Sequence, residues 1–402
     1  MSDTAPTTEL PPETVTAEAA PPRASNDLVL VIGGREWSGW QSIAVTRGVE
    51  IVPGSFTLTM TERFPGIEDI VVRPGDACEV RLGNDLVLTG FVDRYAPAID
   101  AHGHKVTVMG RGKCQDLVDC AAVFPDGGTQ LASATPLTLA TRLAVAYNIT
   151  VSAPDGDGIA VPQFNAQLGE TTFEIVERIT RHSGFLAYEG TDGNLILARV
   201  GSQQMASGFR QGENIERADV AFSMDQRFSE YQVVLMSSNL FGDVAAAAGG
   251  NPGWNSQSPP VPDAGVPRFR RRIIVTEQTY SGVDLARQRA EWEKGRRYGR
   301  SQAVKLTCDS WRDSAGKLWE INTKAAVHIP ALKLEARVWV IAEVTYRRDE
   351  SGTHADLMLM PEEAFQPEPL ILQPFDSQVF EALSPHDPVY RNNPRLGEGP
   401  GQ

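Results

Sequence analysis

Two stretches of the chain alternate apolar and polar positions in the same way, about 250 residues apart. The first runs Leu86-Val-Leu-Thr-Gly-Phe-Val-Asp-Arg-Tyr and returns as His104-Lys-Val-Thr-Val-Met-Gly. The second runs Val338-Trp-Val-Ile-Ala-Glu-Val-Thr-Tyr-Arg-Arg, turns through Asp349-Glu-Ser-Gly, and returns as His354-Ala-Asp-Leu-Met-Leu-Met. Each reads as a long half-buried strand, a polar turn with glycine, and a short apolar return opened by a histidine. Short β patterns are weakly specific, so duplication and chance likeness both stay open on the hairpins alone.

The alternation extends well beyond the hairpins. From Leu28 to Gly112 the chain is nearly all β, with Leu28-Val-Leu-Val-Ile before a Gly33-Gly34 turn, then Ile43–Arg47, Ser55–Thr61, Ala77–Leu82 and the first hairpin. Six short strands at this spacing predict a small barrel or sandwich. From about 114 to 205 the period changes. Leu139, Leu143 and Ala146 fall at helical spacing, with Thr135 as N-cap and Pro136 at the first helical position. A second helix over Thr172–Ser183 shows Phe173, Val176 and Ile179 on one face and stops at Gly184. Strands follow at Phe185–Tyr188 and Asn194–Ala198. After Ala218 β text resumes, broken by a Gly-, Ala- and Pro-rich loop and a helix, and closes on the second hairpin.

The expected fold is mainly β with an α+β insertion, two related small β-barrels plus a small α/β domain. The expected partition is a disordered acidic tail (1–27), a first barrel (28–113), an α/β domain (114–205), a second barrel (206–365) carrying a loop at 241–267 and a helical insertion at 283–298, and an acidic tail (366–402). In the last of these, Leu370, Ile371, Leu372, Phe375, Val379 and Phe380 form an apolar group suited to docking on a partner or on the body.

Charge narrows the partners. The net charge is −14. Residues 1–25 hold four acids against Arg23, and residues 361–402 hold seven acids against Arg391 and Arg395, giving −3 and −5. An acidic balance argues against tightly held duplex DNA, which needs Lys and Arg for its phosphates. It suits a surface that DNA passes without sticking. No apolar run reaches the roughly 18 residues of a membrane helix, and the first residues lack a basic segment leading into an apolar one, so a cytoplasmic product without stable membrane insertion is expected.

Candidate chemistry is sparse. The four cysteines, Cys78, Cys114, Cys120 and Cys308, form no CxxC pair and read as reduced core thiols. Gly110-Arg-Gly-Lys-Cys-Gln is half a dinucleotide fingerprint. His102-Gly-His104 sits on a turn without an evident third ligand. No cofactor, metal or catalytic residue is expected. The one basic concentration, Arg268, Arg270, Arg271, Arg272, Arg287, Arg289, Arg296, Arg297 and Arg300, fits a protein contact better than nucleic acid, because no aromatic platform is interleaved with it. Trp37 and Trp40, and Trp311 and Trp319, sit beside turns, where they either close a barrel end or anchor an interface.

A resemblance joins these pieces. Leu30–Arg47 with Gly54–Glu62, then Gly169–Gly184 with Asp192-Gly-Asn-Leu, then Trp311-Arg-Asp with Lys317–Thr323 and the second hairpin, resemble Mu-type phage baseplate hub proteins (the Mu P family). The resemblance spans about residues 28–365. It implies a homotrimer at the tip of a contractile tail, in which three chains give six barrels in a pseudo-six-fold ring. That ring joins the six-fold tail tube to a three-fold central spike and leaves a channel for DNA in transit. Tape-measure and baseplate wedge proteins are the other implied partners, and the virion baseplate, assembled in the host cytoplasm, is the implied location. The same architecture occurs in the hub part of type VI secretion spike proteins. The expected oligomer contacts are Phe91, Tyr95, Val344 and Tyr346, and the expected partner contacts are Trp37, Trp40, Arg270 and Arg271. On that reading a charge at Phe91 or Val344 yields soluble monomers. The alternative from another class is a peptidoglycan-binding or peptidoglycan-hydrolysing tail-tip protein, with residues 129–160 as a wall-binding module and carboxylates assembled in space.

Overall fold

Over Ile43–Arg47, Ala77–Leu82 and Lys105–Gly112 one parity of residues goes inward, as period-two alternation requires. The computed structural model describes residues 27–61, 72–100, 103–124, 127–201, 203–236, 255–277 and 282–368. The two expected tails (apart from 27 and 366–368), His102 and the first part of the expected loop lie outside them. The first barrel holds β1 (Leu28–Ile32), β2 (Arg35–Trp37), β3 (Ser42–Gly48), β4 (Ser55–Thr61), β5 (Ala77–Leu82), β6 (Asp85–Asp100) and β7 (Gly103–Gly112). Ile43 and Val45, Phe56 and Leu58, and Val106 and Val108 fill its core. Gly33 and Gly34 both have positive φ, +56° and +76°, as a two-residue hairpin turn between β1 and β2 demands.

The middle domain has its own core. Its elements are α1 (Gln115–Asp119), β8 (Gln130–Ala134), α2 (Pro136–Ala144), β9 (Val151–Ser152), β10 (Val161–Asn165), α3 (Thr172–Arg181), β11 (Leu186–Glu189) and β12 (Leu195–Ala198). Thr135 caps α2 by accepting from the Thr138 N–H, with Pro136 at the first turn. Thr171 and Glu174 form a reciprocal capping box on α3. The buried face of α3 is Ile175, Val176 and Ile179, while Phe173 is only half-buried, one turn position off the expected face.

The chain then enters the second barrel by short β13 (Gln203–Gln204) and β14 (Phe209–Arg210) and by β15 (Ile215–Phe222). It leaves to build a separate sheet from β16 (Glu230–Met236), β17 (Asn255–Gln257), β18 (Val261–Pro262) and β19 (Arg271–Glu277), with α4 (Gly282–Arg300) packed on β16. Part of the expected loop is thus strand, because β17 and β18 pair with β16. The barrel resumes with β20 (Gln302–Cys308), β21 (Thr323–Ile329), β22 (Leu334–Asp349) and β23 (Gly352–Met360). Gly299 lets the end of α4 sit against the Ala364 backbone, where any Cβ would collide.

The barrels are not separate bodies. One sheet runs β15-β20-β23-β22-β3-β4-β7-β6-β5-β1-β2, with β13, β14 and β21 attached off this path. It crosses from the second barrel to the first between β22 and β3.

Candidate functional site

The two barrels repeat residue by residue. The order β3-β4-β7-β6-β5 in the first matches β15-β20-β23-β22-β21 in the second. The hairpin turns pair Asp100 with Gly103 and Asp349 with Gly352. Both numbers differ by 249 (349 − 100 and 352 − 103). At the same offset each long strand carries a register shift, between Val92 and Arg94 in β6 and between Ile341 and Glu343 in β22. The neighbouring strand stops at the same place too, pairing up to Phe91 in β6 and up to Val340 in β22. A bulge is a local feature with no reason to recur by chance at one register. The histidines are not equivalent, since His104 matches Thr353 and lies one place from His354's counterpart, Lys105.

The seam between the barrels uses the far half of β22. Glu343 to Arg348 pair antiparallel with Gly48 to Ile43. The Thr46 and Thr345 hydroxyls meet across it at 2.8 Å, and the Val49 N–H donates to the Ala342 carbonyl at 2.8 Å. Val344 and Tyr346 are 0% and 1% exposed. The Tyr346 ring meets Trp311 edge-on, its hydroxyl donates to the Trp319 carbonyl, and burial pushes its phenol up. The expected role of Val344 and Tyr346 as contacts between subunits is therefore corrected: both lie in the chain's own core, and the edge beside them is already filled by β3. Alternation identifies the inward face but not the strand that covers the edge.

Two buried polar groups clamp the middle domain onto the barrels. The Glu189 carboxylate, at the end of β11, accepts from the Gly54 N–H at 2.8 Å and the Cys114 N–H at 2.7 Å, while Arg47 of β3 donates to its carbonyl at 3.1 Å. Burial raises the Glu189 pKa, and the two backbone donors and Arg47 oppose that rise. Asn322, at φ +57° before β21, accepts from the Gly201 N–H at 2.8 Å and donates to the Arg199 carbonyl at 2.9 Å. The seam is thus held from both sides.

Other expected contacts are used within the chain. Trp40 is 9% exposed and donates to the Trp37 carbonyl at 3.2 Å, closing the first barrel's end. Trp311 and Trp319 are fully buried and do the same in the second. Arg270 donates to the Met224 and Asp225 carbonyls at 2.7 and 2.8 Å and lies over Phe228. Arg271 pairs with Glu230 at 2.8 Å. On α4, Arg297 pairs with Glu293, and Arg296 and Arg300 reach Glu50 of the first barrel at 3.2 and 2.5 Å. The basic run braces α4 against its own chain. Phe91 and Tyr95 are half-buried on β6.

The edges of the long sheet that carry no strand among the described residues include the outer edges of β15 and of β2, and the edge of β6 beyond Phe91. Ile99 on β6 is 84% exposed and Phe222 on β15 is 59% exposed. The sheet face away from the core is polar. A shallow hollow of about 330 Å³ on it is lined by Arg217, Asp219, Lys305, Thr307, Glu343 and Thr345 among others. Arg217 in its lining pairs with Asp219 at 3.1 Å, and Asp356 in its lining pairs with the neighbouring Arg347 at 3.1 Å.

Ser351, His354 and Glu216 form a chain, with Ser351 Oγ 3.1 Å from His354 Nε2 and His354 Nδ1 2.7 Å from Glu216. A serine nucleophile needs its proton aimed at the histidine. Here the Ser351 hydroxyl also meets the Asp349 carboxylate, which only accepts. The group ties the β22–β23 turn to β15. Among the described residues there is no cluster of three or more metal-ligating side chains, and no helix is long and apolar enough to cross a membrane.

Comparison with known proteins decides the family. Three profiles match successive parts of the chain: Mu phage baseplate assembly protein GpP-like, N-terminal, over residues 27–112; baseplate hub protein gp44-like, second domain, over 114–199; and Mu phage baseplate assembly protein GpP, fourth domain, over 282–368. Baseplate hub protein gp44 of Escherichia phage Mu is 30% identical over 347 residues, 85% of this chain and 89% of that protein. The chain belongs to the Mu-type baseplate hub family. Among solved structures, the 43 kDa tail protein of prophage MuSo2 from Shewanella oneidensis matches with a TM-score of 0.74 at 29% identity, over 85% of this chain and all of that one. A component of the E. coli type VI secretion system, described as similar in structure to T4 tail proteins gp27 and gp5, matches with a TM-score of 0.50 at 10% identity, over 86% of this chain and 80% of that one. The hub is thus mainly β, a structural protein of a Mu-like tail, and shares its fold with a type VI secretion component. The sequence singled out the hub's hairpins and tryptophans. It missed Glu189, Asn322, Ile99 and Phe222, whose roles depend on neighbours distant in sequence.

Proposed function

We propose that three copies of this hub close a ring of six barrels, without enzymatic activity, joining the tail tube to the central spike and leaving a channel for DNA. The observation that carries this reading is the doubled barrel fused edge to edge in one sheet, with the edge of β6 beyond Phe91 and the outer edge of β15 open among the described residues. A body that already contains one barrel-to-barrel step needs only the same step between copies to close. A two-fold pseudo-repeat within each of three chains reconciles six positions with three. The polar outward face, on which Arg217 pairs with Asp219 and Arg347 with Asp356, suits a lining that does not hold phosphates. Packing of tube, tape-measure and wedge proteins around the ring follows from the family resemblance. The fold shared with a secretion component favours the same ring in either setting, and the 30% identity to the Mu hub favours the phage tail.

Electron microscopy of the purified protein tests this. Class averages with six lobes around a central hole support it, and single two-lobed particles at all concentrations contradict it. A zymogram on purified cell walls addresses the wall-hydrolysing alternative: clearing by the intact protein that Ser351→Ala abolishes would contradict the non-enzymatic reading.

A further inference from the structure

We infer that Leu370, Ile371 and Leu372, which lie just past the last described residue, seat in a hollow between the middle domain, α4 and the first barrel of the same chain. The occupant is the chain's own C-terminal segment, which thereby straps the three parts together. This concerns one chain and stands apart from the ring reading above.

The hollow holds about 600 Å³ and is walled by α3 and β11, by residues 49–52 after β3, and by α4. Its floor is core, with Val49 and Phe185 each 2% exposed. Val52, Phe173, Leu186 and Trp292 stand half-buried around it. Phe173 is the α3 residue whose spacing predicts full burial, and this hollow is where that burial is missing. Apolar walls left to water forgo the stabilisation that a docked apolar segment supplies.

The chain itself leads into the hollow. Phe365 is buried, the Trp292 indole N–H donates to the Gln366 carbonyl at 2.7 Å, and Pro367 and Glu368 belong to the lining. The Glu368 carboxylate meets Arg289 of α4 and, at 3.9 Å, Arg181 of α3, so it lies between the two helices. Leu370 is two residues further on and Leu372 four, a reach of about 7 to 14 Å in extended chain. The Arg289 Nε is buried without a hydrogen-bond partner among the described residues, which leaves a donor beside Glu368 for a carbonyl of the residues that come next.

Charge favours this segment over an ionic ligand. The ions at the rim are already matched: Arg296 with Glu50 at 3.2 Å, and Arg181 with Glu177 at 2.5 Å. The Glu174 carboxylate accepts from the Thr171 N–H at 2.9 Å. A charged ligand must displace one of these partners, whereas an uncharged apolar run need not. Residues 369–375 carry no charge, and the acids Asp376 and Glu381 come after them. The tail of a second copy offers the same side chains, but the chain's own segment starts inside the hollow and so has the higher effective concentration.

Photo-cross-linking in the full-length chain tests the seat. Gln373→Cys is made in a Cys120→Ser background, since the other three cysteines are buried, and is labelled with a benzophenone maleimide. The expected product is a single chain in which position 373 is joined to peptides containing residues 49–52, 173–187 or 292. Tethering alone yields some of that product, so the same label is placed in a chain that also carries Leu370→Asp, Ile371→Asp and Leu372→Asp. Burial of even one such side chain is worth about tenfold in occupancy, so the yield at these peptides should fall by about tenfold or more. Equal yields from the two chains overturn the inference, because proximity and not docking then makes the product. Products that join two chains at these peptides overturn it in favour of a neighbouring copy's tail, and cross-links confined to other surfaces overturn it outright.

Discussion

β22 and β6 are one strand in two settings. Both follow a bulge at the same register, both run to an Asp–Gly turn, and both keep a hairpin partner on one side. On the other side β22 is covered by β3, and its Val344 and Tyr346 are buried; β6 has no such neighbour among the described residues, and its Ile99 stands 84% exposed. The difference lies in what docks, not in the strand. The filled seam shows what one barrel edge receives, and the corresponding edge of β6 is left open among the described residues. Their sequences agree with this division. At matching inward positions the covered strand carries Val344 and Tyr346, and the open one carries Tyr95 and Pro97.

The comparison breaks most sharply at Val344. Val344→Asp places a charge in a dry core, at a cost of about 4 kcal/mol or more, and yields no stably folded protein. Ile99→Asp is expected to change the stability of the single chain by less than about 0.5 kcal/mol, yet to leave it monomeric. Urea denaturation followed by tryptophan fluorescence, with gel filtration, separates the two. Equal effects at both positions would remove the distinction between filled and open edges.

The clamp at Glu189 comes next. Glu189→Gln leaves an amide N–H₂ facing one of two backbone donors and is expected to cost about 1–3 kcal/mol in urea at neutral pH. Because burial raises its pKa in the fold, folding favours the protonated form. That contribution is present below the unfolded carboxylate range and is lost as pH rises through the folded value. The stability of the wild type relative to Glu189→Gln should therefore grow as the solution is acidified from neutral pH. A difference that stays flat with pH would show that Glu189 does not titrate differently in the fold.

Smaller effects refine the seam and the open edge. Thr345→Val removes the hydroxyl pair with Thr46 and is expected to cost about 1 kcal/mol, read from the urea midpoint. Pro97→Ala returns a donor to the open edge, so it should tighten association by up to about tenfold, read as the concentration at which the assembly dissociates. Weaker association would show that the edge does not pair there.

Much of the fold was legible because its signals are local. Alternation marked both hairpins, and Thr135 with Pro136 marked the start of α2. What escaped depends on contacts distant in sequence. Val344 and Tyr346 have the alternation expected of an interface strand, and only the docking of β3, about 300 positions earlier, buries their edge. The arginine run resembles a binding patch until Glu50, Glu230 and Glu293 are seen beside it. Phe173 fits a helical face by spacing, but the rotation of α3 set by its packing brings Ile175 inward instead. One signal was present and unused: the constant offset of 249 between the hairpins, which aligns Asp100-x-x-Gly103 with Asp349-x-x-Gly352.

The mass of the purified protein in solution, by light scattering after size exclusion, tests the central claim most directly. The account predicts a mass three times the 43.7 kDa of one chain. A particle of one chain at every concentration, or of two, would contradict it.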